Sequence, residues 1–151
     1  MGIIERFFKN YCPLCKMDES GGGDVYYAVF RVLVGLMFFQ HGVQKIFGAF
    51  GGVGGTGQAV PDLTSLFGYA GLIELFGGLA IIFGFFTRLT ALVIVIEMVV
   101  AYFMVHAPRG TFPIANGGEL VVLYSASFLL MLKYGAGKWS LERGLLKKEI
   151  F

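Results

Sequence analysis

The sequence predicts an all-α protein, a transmembrane four-helix bundle, and three observations carry that reading. The 151 residues are 56% hydrophobic and 16% aromatic, and their mean hydropathy of +0.74 lies far above that of a soluble domain. Charged residues make up only 15% and gather near the chain ends or at the ends of apolar runs. Four apolar runs, about 25–47, 66–86, 89–106 and 118–134, approach the roughly 20 residues that a bilayer requires. A net charge of +2 spread in this way offers no basic surface for nucleic acid. The partners it implies are membrane lipid and other proteins.

Three segments follow: an N-terminal tail over 1–24, a membrane domain over 25–137 and a C-terminal tail over 138–151. The first sixteen residues mix charges with a short Phe pair and lack an apolar core before a small-residue cleavage site, so the first run is read as a retained helix. Cytoplasmic segments collect Lys and Arg. With four spans, Arg6, Lys9, Lys16, Arg88, Lys138, Arg143, Lys147 and Lys148 share one side, against Lys45 and Arg109 on the other. Both termini are therefore expected in the cytoplasm, in the cell (inner) membrane. Arg31 and Lys133 lie close enough to that face to snorkel.

The tail holds Cys12-x-x-Cys15, with no other cysteine in the chain. A cytoplasmic position argues against a structural disulfide. Three uses stay open: idle surface thiols, a redox pair, or half of a metal site completed by a second chain or a partner.

Helix 1 ends in Gln40-His41-Gly42-Val43-Gln44-Lys45, where His41 and Lys45 share a face. The glycine-rich link 48–65 reads as a flexible external loop able to lid the outer half of the bundle. Helix 2 carries Glu74 inside an apolar run, followed by Gly77 and Gly78 on the same face. An acid at bilayer depth must face protein, water or a ligand. The glycines let a helix or a flat ligand approach it.

The minimal turn at Thr87-Arg88 predicts a tight antiparallel pairing of helices 2 and 3. Helix 3 places Glu97 near mid-depth and His106 at its outer end. A Pro-containing turn follows, and Asn116-Gly117-Gly118-Glu119 opens helix 4 as a capping arrangement, with Glu119 suited to the helix dipole. Tyr124, Ser125 and Ser127 can bond across helices. By depth, His41, Gln44, Lys45, Glu74, Glu97, His106 and Glu119 all fall in the middle or outer half, and no such set exists in the inner half.

The order Arg31-x-x-x-Gly35, Gln40-His41-Gly42-x-x-Lys45-x-Phe47-Gly48, Glu74-x-x-Gly77-Gly78 with Gly84 and Thr87-Arg88, then Asn116-Gly117-Gly118-Glu119 and Gly135-Ala-Gly137-Lys-Trp139-Ser140-Leu141 resembles the DoxX family of four-helix membrane proteins. The Cys12-x-x-Cys15 tail departs from the typical member, as does Glu142 where an Asp is often found. Members are similar to the membrane subunit of a thiosulfate:quinone oxidoreductase. Others are linked to membrane-associated oxidoreductase complexes handling thiol and oxidative stress.

The leading reading is thus an integral membrane subunit of an oxidoreductase system. It binds a quinone or a small sulfur or thiol compound in a polar pocket of the outer half. His41, Glu74 and Glu97 handle protons as catalytic residues, and Gln40, Gln44, Lys45, Gly77, Gly78, His106, Asn116 and Glu119 are ligand-binding neighbours. The electrons call for a soluble or membrane redox partner. A metal ion is the other cofactor reading, since imidazoles and carboxylates ligate metals in helical bundles, although the Glu-x-x-His spacing is missing. Two alternatives stand beside it: a scaffold for soluble redox enzymes, and a small-solute or proton transporter formed by a homo-oligomer.

Overall fold

The computed structural model describes residues 22–146. Cys12 and Cys15 lie outside them, so the three readings of that pair, idle thiols, a redox pair or a metal half-site, rest on the sequence alone. Helix α1 runs over Gly22–Phe47, α2 over Leu66–Phe83, α3 over Thr87–Ala101, α4 over Pro113–Asn116, α5 over Glu119–Tyr134 and α6 over Leu141–Leu146. The described elements are helices and turns, as expected of a membrane bundle. Helix α3 continues through a π turn at Tyr102–His106 and a 3-10 turn at Ala107–Arg109.

Three helical stretches are long and apolar enough to cross a bilayer: Gly23–Phe47, Leu66–Phe83 and Thr87–Arg109. The fourth expected span is shorter. At 16 residues, α5 rises about 24 Å, less than the ~30 Å of hydrocarbon. Large apolar side chains such as Leu33, Phe76, Ile96 and Leu123 point outward, which suits contact with lipid.

Helix pairing differs from the expectation drawn from turn length. The closest pairs are α1 with α2 and α3 with α5, while α2 and α3 touch less despite their short connection. Glycine position decides this. Gly35 and Gly42 on α1 and Gly71 and Gly78 on α2 are each spaced by seven residues, and all four are buried in the α1–α2 seam. A Cβ on Gly78 would lie 2.6 Å from the backbone nitrogen of Phe39, and one on Gly71 would lie 3.0 Å from Cβ of Lys45. A Cβ on Gly42 would meet the backbone of Glu74 and Leu75. Small residues bring backbones together where lipid supplies no hydrophobic drive between helices.

We call the end with the α2–α3 turn and the described termini proximal, and the other end distal. At the proximal end α2 stops at Gly84, a left-handed C-cap with φ 66°. Phe85 N–H donates to Ala80 O at 2.8 Å, as in a Schellman ending. Arg31 does not snorkel. It is 2% exposed, and it donates to the carbonyls of Ile81, Ile82 and Trp139, satisfying end groups that α2 itself leaves open. Glu142 N–H donates to Gly84 O, so the start of α6 packs against the bundle. Lys138 meets Asp24 at 2.6 Å, bringing the starts and ends of the described chain together.

At the distal end the glycine-rich link is folded rather than loose. Val60 N–H donates to Lys45 O at 2.7 Å and Gly57 N–H to Gly51 O at 2.7 Å. Thr64 donates to Asp62 from its hydroxyl and its backbone, holding that carboxyl below the usual range. Ser65 then caps α2 by accepting from Gly68 N–H.

Thermal unfolding in mild detergent tests the seam. Gly78→Val is expected to cost about 1–3 kcal/mol by overpacking. Gly144→Ala, where the added methyl meets nothing within 4 Å, is expected to stay within about 0.5 kcal/mol.

Candidate functional site

The close seam between α1 and α2 delivers one polar contact at membrane depth. Lys45 Nζ reaches Glu74 Oε1 at 2.6 Å, with side-chain exposures of 20% and 6%. Gly71 lies beside Lys45, and Gly42 lies beside Glu74. The two charges meet because the glycines remove what would hold their backbones apart. The second carboxylate oxygen of Glu74, Oε2, is buried without a hydrogen-bond partner.

Beyond this pair a cavity of about 590 Å³ opens between the helices, within the range of small-molecule sites. Its polar wall is made by His41 and Lys45 of α1, Glu74 of α2, Glu97 of α3, His106 of the π turn that continues α3, and Tyr124 of α5, and the remainder is aliphatic and aromatic. Both oxygens of Glu97 and the hydroxyl of Tyr124 are buried without hydrogen-bond partners. An unmatched buried polar atom costs about 1–3 kcal/mol, so this wall is built to meet a group with donors or acceptors of its own. Glu97 also lies within electrostatic reach of Glu74 and Lys45.

Aromatic packing orients the wall from α5. The ring of Tyr124 stands edge-on to Phe38 at 5.3 Å and to His41 at 5.9 Å, and stacks on Phe128 at 6.1 Å. The π turn at Tyr102–His106 widens the end of α3 and keeps Met104, Val105 and His106 on the cavity side; such turns recur at functional sites. His106 Nδ1 lies 3.2 Å from Asn116 O, so in the neutral ring that nitrogen carries the proton and Nε2 is an acceptor.

Of the residues expected from the sequence, His41, Lys45, Glu74, Glu97 and His106 share this cavity, and the others do not line it. Gln40 is exposed on the outer face of α1. Gln44 points to the Phe50 carbonyl at 3.5 Å. Gly78 packs on Phe39, and Gly77 packs on Thr90 and Ile94 of α3, so protein fills the space reserved for a flat ligand.

Asn116 does not cap α5, whose N-cap is Gly118 without a side-chain bond. It stitches the distal turn instead, donating to Gly110 O at 2.8 Å and accepting from Gly118 N–H at 2.8 Å. Glu119 is exposed at the start of α5. No residue of 48–65 lines the cavity, so the loop forms no lid. Among the described residues no three of His, Cys, Asp and Glu converge as a metal site.

Tyr124 was missed as a site residue. Its signal was available in the spacing Tyr124, Ser127, Phe128, Met131, one buried stripe of α5.

Residues 27–107 match the DoxX family model. The chain is 41% identical to an uncharacterized protein of Haemophilus influenzae over 126 residues, 82% of this chain and 92% of that relative. It is 33% identical to inner membrane protein YqjF of Escherichia coli over 133 residues, 83% of this chain and 95% of that protein. An uncharacterized membrane protein of Mycobacterium tuberculosis is 27% identical over 135 residues, 78% of this chain and 80% of the relative. No solved structure matches the chain.

The Lys45–Glu74 pair lends itself to a double-mutant cycle read by thermal unfolding in detergent. Lys45→Met alone strands a buried carboxylate and is expected to cost about 3 kcal/mol, while Lys45→Met with Glu74→Leu recovers most of the loss. Equal destabilisation by the single and double variants would show that the charges are not coupled.

Proposed function

The chain belongs to the DoxX family of membrane proteins, and from that premise we propose that it is an integral membrane subunit of an oxidoreductase system. Its cavity holds a quinone or a small sulfur or thiol compound. The observation that carries this reading is the pair of unpartnered Glu97 oxygens facing the Lys45–Glu74 pair across the cavity. The lysine and arginine distribution supports cytoplasmic termini, which puts the distal cavity in the outer half of the membrane.

The chemistry suits the wall. A quinone carbonyl oxygen accepts hydrogen bonds from the Lys45 ammonium, the Tyr124 hydroxyl or a protonated Glu97. Its reduction to quinol takes up two electrons and two protons. Two thiols joining as a disulfide release the same number of each, so quinone plus two thiols gives quinol plus disulfide with nothing left over. The redox partner relays the electrons from the thiol side, Glu97 and His41 supply protons to the reduced ring as general acids, and the Glu74 carboxylate beside Lys45 passes protons on to them. Apolar walls around the ring limit water and strengthen each of these contacts.

Protein purified in mild detergent is expected to carry a quinone, seen in its absorption spectrum and in an organic extract. Glu97→Gln is expected to retain the bound quinone and to slow thiol-dependent quinone reduction about 100-fold, the lower range for a lost proton donor. Normal turnover in that variant, or a protein that neither carries nor takes up quinone, rules the reading out.

A further inference from the structure

We propose that the cleft between α2 and α3 is a side door from the cavity into the distal leaflet, and that the ligand enters through it from the lipid as an uncharged, lipid-soluble molecule. The inference rests on the reading above and narrows it to a tailed quinone in preference to a water-soluble sulfur compound.

The bundle geometry creates the door. α1 clasps α2 through the glycine seam and α3 packs on α5, so the bundle consists of two tight pairs joined by the short proximal turn. Gly77 lies against Thr90 and Ile94, which closes the proximal part of the α2–α3 line. One to two turns further toward the distal end, Ala70 and Ile73 on α2 and Glu97 and Ala101 on α3 all line the cavity. The two helices there stand across a cavity from one another.

The rim has the character of a lipid-facing surface. Phe67 is 50% exposed, Ile96 57% and Met104 57%, and all three also line the cavity. Each of these side chains borders both the outside of the bundle and the cavity, so the rim between the two is apolar, as in a ligand groove. The folded link 48–65 contributes no lining residue, which leaves the distal end to Leu66, His106 and Gly117.

Charge selects the ligand class. A small sulfur anion would have to leave water, cross this apolar rim and come to rest beside the carboxyls of Glu74 and Glu97, where Lys45, the one Lys or Arg lining the cavity among the described residues, is already engaged at 2.6 Å. An uncharged ring with an isoprenoid-like tail meets no such barrier. Its carbonyls answer the unpartnered oxygens of the wall through protons held there, and its tail lies along the rim in lipid.

Carbodiimide labelling of the full chain in proteoliposomes at mildly acidic pH tests the door. The carboxyl O–H of Glu97 adds across one C=N bond of the reagent and the acyl group migrates to nitrogen. The product is a stable N-acylurea, formed with nothing leaving, and it is located by peptide mass. Dicyclohexylcarbodiimide concentrates in the bilayer and is expected to modify Glu97 about ten-fold or more faster than a cationic water-soluble carbodiimide. Ala70→Trp narrows the cleft and is expected to slow the reaction, as is excess decylubiquinone.

Equal or faster modification by the water-soluble reagent, or none by either, overturns the door; a second protein copy covering the cleft would give the latter result. If Ala70→Trp does not fold, the reagent preference of the unaltered chain decides by itself. A lipid-side preference that decylubiquinone leaves unchanged supports the door and removes quinone from the function proposed above.

Discussion

The approach of α1 to α2 through Gly35, Gly42, Gly71 and Gly78 is the constraint on which the rest of the structure depends. Helices in lipid gain little from hiding apolar surface, since the surroundings are equally apolar, so backbone proximity and dispersion must hold them. Four absent side chains supply that proximity along one seam. The seam sets where Lys45 and Glu74 meet, and because they meet near the distal end, the polar wall of the cavity begins there. A glycine replaced by a branched residue would move the ion pair as well as the helices.

The cavity departs from a well-packed, fully satisfied membrane interior. Buried polar groups in protein are nearly always hydrogen-bonded, yet Glu97, Tyr124 and one oxygen of Glu74 have no such partner while facing a common space. The aromatic cluster of Phe38, Tyr124 and Phe128 behind them is well packed, so the unmatched atoms do not reflect a loose core. They lie on rigid elements and face the cavity.

The proximal end is organised on the opposite principle. Arg31 spends its charge on backbone carbonyls at the close of α2 and on Trp139. A Cβ on Gly84 would lie 2.9 Å from that guanidinium and 2.7 Å from Ser140. Arg31, Gly84 and the Trp139-Ser140 segment, which in the sequence are among the residues that carry the family resemblance, are a structural lock. It closes one end of the bundle, while the cavity lies at the other.

Hydropathy and local pattern were enough to determine the membrane class, the order of the helices and the presence of acids at bilayer depth, because these follow from composition and from the length of apolar runs. They were also enough to group His41, Lys45, Glu74, Glu97 and His106 by depth. What depth could not supply is rotation about each helix axis: successive residues point about 100° apart, so Gln40 faces outward while His41 faces the cavity. Nor could turn length tell which helices pair closely, since that depends on which glycines stand opposite each other across the seam. Tertiary structure alone decided that Gly77 and Gly78 receive neighbouring helices, that Asn116 ties a turn, and that Tyr124 joins the site. These are properties of facing surfaces, and a single strand of sequence contains no record of what lies across from it.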